Sequence, residues 1–480
     1  MYDIEPLTAS HRIGWYMSRL HDWIVAASQG CLNEDGDPFE LPHFPLAKLD
    51  PQIAFVEDQA SFDFWQLDDH PYGIVDFSNL VMNPSVLAVT QFKKRNGQEL
   101  LGVKYGDAVQ SKVALTGLWI RTQEVPHIPP WQAPTTLAEL VRALSSVGID
   151  VQQLLRDLAK TIRDGVRHPL LIGFPIPSTI GSPLQRYHWQ ALLLPVLSNG
   201  NAKGFSSSEK GYLLRDGSLV LTSHMKLEWL GSVNWEESEL RTRGKLPACI
   251  TSKKILIIGA GAIGSMIAEL LAREGCHDFV IVDNERLQVG NLTRHTLDLH
   301  TVGDRKADAL ALRLVSLNPH AHATAIPKSF PPLGESDRKL VQSCDCVIDC
   351  TADDTVLYAM SIFDWKSDKQ FLSVSVGLFA KRIFLFSSFG RYFPHSFFIE
   401  KTQPWIENET REYSDAELPR EGIGCWHPIF PASPDDLWMA VSVAGKRIAS
   451  IASASNVAPT LEVFEQEFSG GLFQGIKKVA

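Results

Sequence analysis

The run Gly259-Ala260-Gly261-Ala262-Ile263-Gly264 constrains this chain more than any other segment. It follows the apolar Ile255–Ile258. It precedes Ile263, Met266, Ile267, Leu270 and Leu271, which are spaced as one face of a helix ended by Gly275. Strand, glycine turn and helix in that order open a doubly wound sheet. The first glycine permits the tight turn, the second lets backbone approach phosphate, and the third lets the helix pack against the sheet. The helix start then offers free N–H groups and the positive end of its dipole. Asp283 ends the next strand, Phe279–Val282, where a carboxylate accepts hydrogen bonds from ribose. On this motif alone the ligand stays open between NAD(P), FAD and another nucleotide, with the dinucleotides favoured.

The alternation continues beyond the glycine turn. Ala307, Leu310, Ala311 and Leu314 mark a helix stopped by Asn318-Pro319, and Cys346–Thr351 and Phe371–Val376 read as strands. The polar segment 391–424 lacks periodicity and reads as a long loop, of the kind that is usually functional or mobile. The first half is different. Thr136 and Glu139 form a capping box for a helix through Leu144, and a second helix is expected from Ile149 to Ile162. Strands are expected around 117–124, His168–Pro175 and Trp189–Leu197, with an ordered proline-rich loop at 127–134. The fold class is α/β: a Rossmann-like doubly wound domain over 246–480, preceded by an α+β domain over 1–245.

A chain of 480 residues has room for two or three domains. Its 45 Lys+Arg against 55 Asp+Glu give −10, which argues against a general nucleic-acid binder. The first residues lack a basic stretch followed by an apolar core, and no apolar run reaches the ~20 residues that span a bilayer. A cytoplasmic protein without membrane contact is expected. None of its seven cysteines forms a C-x-x-C pair, so neither a disulfide framework nor a zinc site is expected.

The residues after Asp283 shift the balance away from hydride chemistry. They run Asp283-Asn284-Glu285-Arg286-Leu287-Gln288-Val289-Gly290-Asn291-Leu292-Thr293-Arg294-His295. A dehydrogenase needs no arginine here. An enzyme that displaces pyrophosphate from a triphosphate does, because negative charge grows during attack on the α-phosphate. Arg294 and Lys306, at the start of the next helix, supply two cations. Asp353 lies past the Cys346–Thr351 strand, at the ligand-binding edge of such a sheet, where a carboxylate holds Mg²⁺ beside phosphates. Each alone reads as a solvated charge; the set in this order is more specific.

These blocks, with Gly303–Lys306, Leu314–Pro319 and Val347–Asp353, resemble the ThiF/HesA/MoeB and ubiquitin-activating enzyme superfamily. The resemblance covers about Ile255 to Ile451 and implies adenylation of a protein's C-terminal carboxylate by ATP·Mg²⁺. By position it implies that Gly259, Gly261 and Gly264 line the phosphates and that Asp283 takes the ribose. Glu285, Asn291, Arg294 and Lys306 would contact ATP, and Asp353 would hold Mg²⁺. Glu285 stands where many members have aspartate, and Leu357 lies near the place of an expected arginine. Arg241 and Arg243 precede the first strand, where members often carry an arginine that reaches ATP; a solvated charge is the simpler reading.

Cys425, in Gly422-Ile423-Gly424-Cys425-Trp426-His427-Pro428, resembles the crossover-loop cysteine of ubiquitin-activating relatives. A thiol there would attack the acyl-adenylate, release AMP and hold the acyl group as a thioester, with His427 as a proton shuttle. The alternative is a buried cysteine opening a helix. Cys31, Cys276, Cys344, Cys346 and Cys350 read as structural. The segment Leu118–Leu137 resembles a conjugating-enzyme-like domain fused in some bacterial relatives. No cysteine lies between Cys31 and Cys249, so a non-catalytic scaffold that binds partners is preferred.

The resemblance implies, as partners, a ubiquitin-like protein ending in glycine, a conjugating enzyme and a second copy joined through the adenylation domains. It also implies a place in a bacterial antiviral conjugation system. Three alternatives remain: adenylation without a thioester, on a sulfur-carrier protein, peptide or tRNA-linked carboxylate; an NAD(P)-binding oxidoreductase; and a degenerate, non-catalytic scaffold, against which the largely intact charged set argues.

Overall fold

The computed structural model describes residues 5, 8–29, 32–46, 51–146, 148–200, 204–418, 430–453 and 458–480. The chain forms two compact units. The first takes residues up to Asn79, Pro84–Val103 and Ser111–Glu236; the second takes Leu80–Asn83, Lys104–Gln110 and everything from Glu237.

The first unit is built on a curled sheet. Its strand order is Trp229–Leu230, Leu184–Leu193, Pro169–Pro177, Leu115–Arg121, Tyr72–Asn79, Val86–Lys94, Gln52–Phe55 and Ser232–Asn234. The first and last members of that order are separated in sequence only by Gly231, so the sheet curls until a single residue joins its ends. Alternation assigns two faces. Phe55, Val75, Phe77, Val89, Trp119 and Trp189 share one cluster with Trp65 of the helix Gln59–Leu67. Leu118, Ile120, Leu170, Ile172 and Leu192 face Leu140, Leu144, Leu154 and Leu158 on the helices Leu137–Ser146 and Val151–Leu158. Gly173 makes the first face possible, because a Cβ there would stand 2.4 Å from the Trp189 ring.

The expected capping box is present: Glu139 N–H donates to Thr136 Oγ1 at 3.4 Å, and Thr136 N–H donates to Glu139 Oε2 at 3.2 Å. The expected strand Trp189–Leu197 instead runs Leu184–Leu193, because pairing with Pro169–Pro177 sets its limits. The N-terminal helix Ala9–Gln29 carries no apolar run long enough to stand out. Ile13, Met17, Leu20 and Ile24 fall on one stripe and are exposed.

Glu57 lies in the aromatic face, 2% exposed. Its Oε1 accepts from Trp65 Nε1 (2.9 Å) and Trp189 Nε1 (2.6 Å), and its Oε2 from Ser61 Oγ (2.6 Å). Burial pushes the carboxyl up to about 7, against the lowering effect of those three donors. The folded state therefore prefers the neutral acid, and this group's contribution to stability falls as pH rises from about 4.5 to about 7. Glu57→Gln keeps the neutral form's acceptor and removes that slope. Urea unfolding at pH 5 and pH 8 should show the variant gaining about 2.5 kcal/mol on the wild type between the two; parallel curves would refute the assignment.

In the second unit the strands are β1 Lys254–Ile258, β2 Asp278–Val282, β3 His322–Ile326, β4 Cys346–Asp349, β5 Lys369–Val376, β6 Arg382–Gly390, β7 Thr460–Ser469 and β8 Leu472–Lys478. The helices used below are α1 Ala262–Arg273, α2 Lys306–Leu317, α3 Glu335–Gln342, α4 Asp354–Ile362, α5 His395–Glu412 and α6 Pro434–Ser453. Sheet order is β3-β2-β1-β4-β5-β6-β7-β8. The first five strands are parallel and the last three join antiparallel. The order reverses between β1 and β4, and ligands bind at the carboxyl ends beside such a switch. Both faces are covered, which is why the parallel strands read as unbroken apolar runs. On one face α1 and α6 meet closely enough that a Cβ on Gly445 would stand 2.5 Å from Leu270 Cδ2. On the other, Phe398 of α5 joins Leu357, Phe371, Phe386 and Phe393.

Two features correct the sequence reading. The segment 391–424 is not all loop, because α5 occupies much of it. Its inward residues are Phe398, Thr402 and Glu409, so two of three buried positions are polar and Pro404 interrupts the interior, which hides the period. Residues 104–110 of the first half, moreover, complete the second unit. Asp107 N–H donates to Ala321 O at 2.8 Å, and its carboxylate takes Ala323 N–H at 3.1 Å and His322 Nδ1 at 2.9 Å. No local pattern announces that excursion.

Candidate nucleotide site

The site grows from the β1–α1 turn. Gly259 has φ +88°, a conformation that favours glycine, and a Cβ there would stand 2.8 Å from Thr351 Cγ2. A Cβ on Gly264 would stand 1.9 Å from the Gly259 carbonyl oxygen, so this glycine lets α1 descend onto the turn. A Cβ on Gly261 would meet nothing within 4 Å. Gly261 caps α1 without a side-chain hydrogen bond, which leaves the first amides of the helix available to an anion.

Gly261 borders two cavities. The first, about 470 Å³, is bounded by Gly259, Asp283, Glu285, Lys328, Phe330 and Asp353, among others. The second, about 230 Å³, is bounded by Asn291, Arg294, His295, Lys306, Val376 and Phe430, among others. The sequence-selected residues therefore fall into two groups on either side of one glycine. Gly264 lines neither cavity and acts from behind the turn.

Asp283 is already fastened: its Oδ2 takes Ala260 N–H and its Oδ1 takes Glu285 N–H, both at 2.7 Å. Burial raises its carboxyl above the ordinary range, while the two amides and Lys306 pull it down. Lys306 opens α2, is 6% exposed, and ion-pairs with Glu285, whose own side chain is largely exposed. Glu285 thus holds the lysine. Asn291 closes a short helical turn by accepting Gln288 N–H at 3.0 Å. Arg294 donates through Nη1 to the Phe430 carbonyl at 2.5 Å, so its guanidinium is aimed across the smaller cavity.

Asp353 caps α4 by accepting Thr355 N–H through Oδ1 at 2.8 Å, which leaves Oδ2 uncommitted to that bond. Ala352 just before it has φ +52°, an uncommon conformation for a residue with a Cβ. Beneath them Asp349 is fully buried, accepting Thr351 Oγ1 at 2.7 Å and Ser373 Oγ at 2.9 Å; burial raises its carboxyl. Among the described residues no group of three or more His, Cys, Asp or Glu gathers as a metal cage. One carboxylate at the cavity edge fits a Mg²⁺ carried chiefly by phosphate oxygens.

Cys344 and Cys346 are buried, with thiols pushed up to about 12, and Cys276 higher still, as befits core residues. Cys350 instead borders the larger cavity, its thiol also raised by burial. Arg241 lies against Gly275, beyond the C-terminal end of α1, and the chain does not bring it to Gly261. Leu357 is part of the apolar core. Cys31 and Cys425, with His427, lie outside the described residues.

Sequence reasoning passed over His295 and the residues after β3, Lys328 to Phe330. His295 stands beside Arg294 in the block that carried the resemblance, which was its one signal. Phe430 and Val376 come from distant parts of the chain, and nothing local marks them.

A family model of the Cap2 central linker domain matches residues 30–235, and the ThiF family model matches 245–379. The ATP-dependent ubiquitin transferase-like protein Cap2 of Enterobacter hormaechei subsp. hoffmannii is 36% identical over 461 residues, 95% of this chain and 76% of that protein. The chain belongs to the Cap2 family. The linker match identifies the first half of this Cap2 relative as Cap2 linker rather than as the conjugating-enzyme-like domain that Leu118–Leu137 resembled. The adenylyltransferase and sulfurtransferase MOCS3 of Drosophila grimshawi is 31% identical over 115 residues, 23% of the chain and 25% of that protein. A crystal structure of E. coli MccB with ATP shares 14% identity at a TM-score of 0.33, over 48% of this chain and 64% of that one, too distant to add to the argument. No helix among the described residues of this Cap2 family member is long and apolar enough to cross a membrane.

Proposed function

We propose that this chain activates a ubiquitin-like protein by adenylating its C-terminal glycine carboxylate with ATP, and then holds it as a thioester on Cys425. The supporting observation is the pair of cavities joined at Gly261, one bordered by ribose-type and metal-type carboxylates, the other by Asn291, Arg294 and Lys306. A nucleotide with Asp283 at its ribose and its phosphates across Gly261 meets the start of α1 and both cations. The carboxylate oxygen attacks the α-phosphorus, the bond to the β-phosphate oxygen breaks, and pyrophosphate leaves. Arg294 and Lys306 stabilise the charge that grows on the departing phosphates. Mg²⁺ at Asp353, when bound, neutralises phosphate charge. Hydride transfer builds up no such phosphate charge, so the cation pair favours the adenylation reading over an oxidoreductase.

In the second step the Cys425 thiolate attacks the acyl carbon and AMP leaves. Transfer to a conjugating enzyme follows, from a dimer of adenylation domains. The similarity to Cap2 supports a ubiquitin-like substrate over a sulfur-carrier, peptide or tRNA-linked one. Cys425→Ala should retain ATP–pyrophosphate exchange with a glycine-ended ubiquitin-like protein and lose the reductant-sensitive conjugate. A conjugate of undiminished yield in that variant would remove the thioester step. Tight NAD binding without any response to ATP·Mg²⁺ would remove the adenylation step.

A further inference from the structure

His295 is tied at both ring nitrogens. Leu297 N–H donates to Nδ1 at 3.2 Å, so Nδ1 carries no proton. The proton of the neutral ring is then on Nε2, which donates to the Ala260 carbonyl at 2.7 Å. A second proton on the ring would break the Leu297 bond. Burial, with Lys306 nearby, holds the imidazole down to about 4, in keeping with that geometry.

Ala260 is fully buried, and its own N–H is held by Asp283 at 2.7 Å. The peptide between Ala260 and Gly261 is thus fixed from both ends of the Ala260 unit. It is trans, so its C=O and N–H point in opposite directions. With the carbonyl turned to His295, the Gly261 N–H is turned away from it, at the residue where the two cavities meet.

We infer that His295 is a positioning residue for the nucleotide: by holding the Ala260 carbonyl it aims the Gly261 N–H at the phosphates. It need not touch the nucleotide to do so. Asp283 belongs to the same device, since the carboxylate that faces the ribose also fixes the other end of the Ala260 unit. This inference rests on the adenylation reading.

The test separates the two ring nitrogens. In His295→Gln the side-chain N–H₂ reaches the Nε2 position and can donate to Ala260. In His295→Asn the side-chain oxygen takes the place of Nδ1 and keeps the Leu297 bond, but nothing reaches Ala260. Binding of ATP in the presence of Mg²⁺ is measured by calorimetry on the full chain, with thermal unfolding as the check on folding. Gln should stay within about threefold of the wild type. Asn and Ala should lose roughly 10- to 100-fold, the worth of a hydrogen bond to a charged group. In ¹⁵N spectra the wild-type ring should show the Nε2–H tautomer from pH 5.5 to 8. Asn binding ATP as well as wild type, or Gln losing as much as Asn, would overturn the inference, and should Ala not fold, the Gln–Asn pair decides alone. A wild-type protein that binds no ATP would instead defeat the adenylation reading itself.

Discussion

Lys306→Ala should cut ATP–pyrophosphate exchange about 10²- to 10³-fold while leaving the fold intact. Lys306 is 6% exposed at the first position of α2, where it borders the smaller cavity with Arg294 and Asn291. A cation held there before reaction stabilises the leaving pyrophosphate without reorganisation, and a buried setting magnifies its effect. Its partner Glu285 is mostly solvent-exposed, and Asp283, which Lys306 also draws down, keeps its two amide donors, so the fold should bear the loss. Exchange should therefore collapse with thermal unfolding moved by no more than a degree or two. Near-normal exchange in a folded variant would show that Lys306 only anchors Glu285.

Gly264→Ala should act in the opposite way, through the fold. A Cβ at 1.9 Å from the Gly259 carbonyl oxygen and 3.2 Å from Cys350 Cβ meets backbone that has no room to retreat. Overpacking of this kind costs ~1–3 kcal/mol or more. The melting temperature should fall by several degrees, and the displaced α1 should lose ATP binding at the same time. Gly261→Ala is the control, because its Cβ would meet nothing and its φ of −76° suits alanine. It should unfold at the wild-type temperature and weaken ATP binding alone. Equal melting losses in the two variants would contradict the packing described for Gly264.

The second unit was largely legible because burial on both faces turns β1, β2, β4 and β5 into apolar runs, and α1 and α2 keep an apolar stripe. The glycines, Asp283, Lys306 and Asp353 were legible for a related reason: each stands at a strand end or helix start, while Asn291 and Arg294 were marked only by the block that follows Asp283. What stayed hidden depends on distant partners. The inward Glu409 of α5 makes sense only beside Arg382, 3.5 Å away on β6. His295 acquires a role only once Ala260 is seen against it. Phe430 and Val376 border the smaller cavity because the chain returns there, which no period reveals. In the first half the strands are short of charge and interrupted by Gly and Pro, and their pairing order crosses the sequence repeatedly.

The single-residue junction at Gly231 has a consequence for how this chain fails. Trp229–Leu230 and Ser232–Asn234 each cover a neighbour's row of main-chain donors and acceptors. Detaching this one short stretch would bare both rows at once, and each is a template for intermolecular pairing. A proline at Val233 would therefore be expected to yield aggregates rather than a loosened monomer.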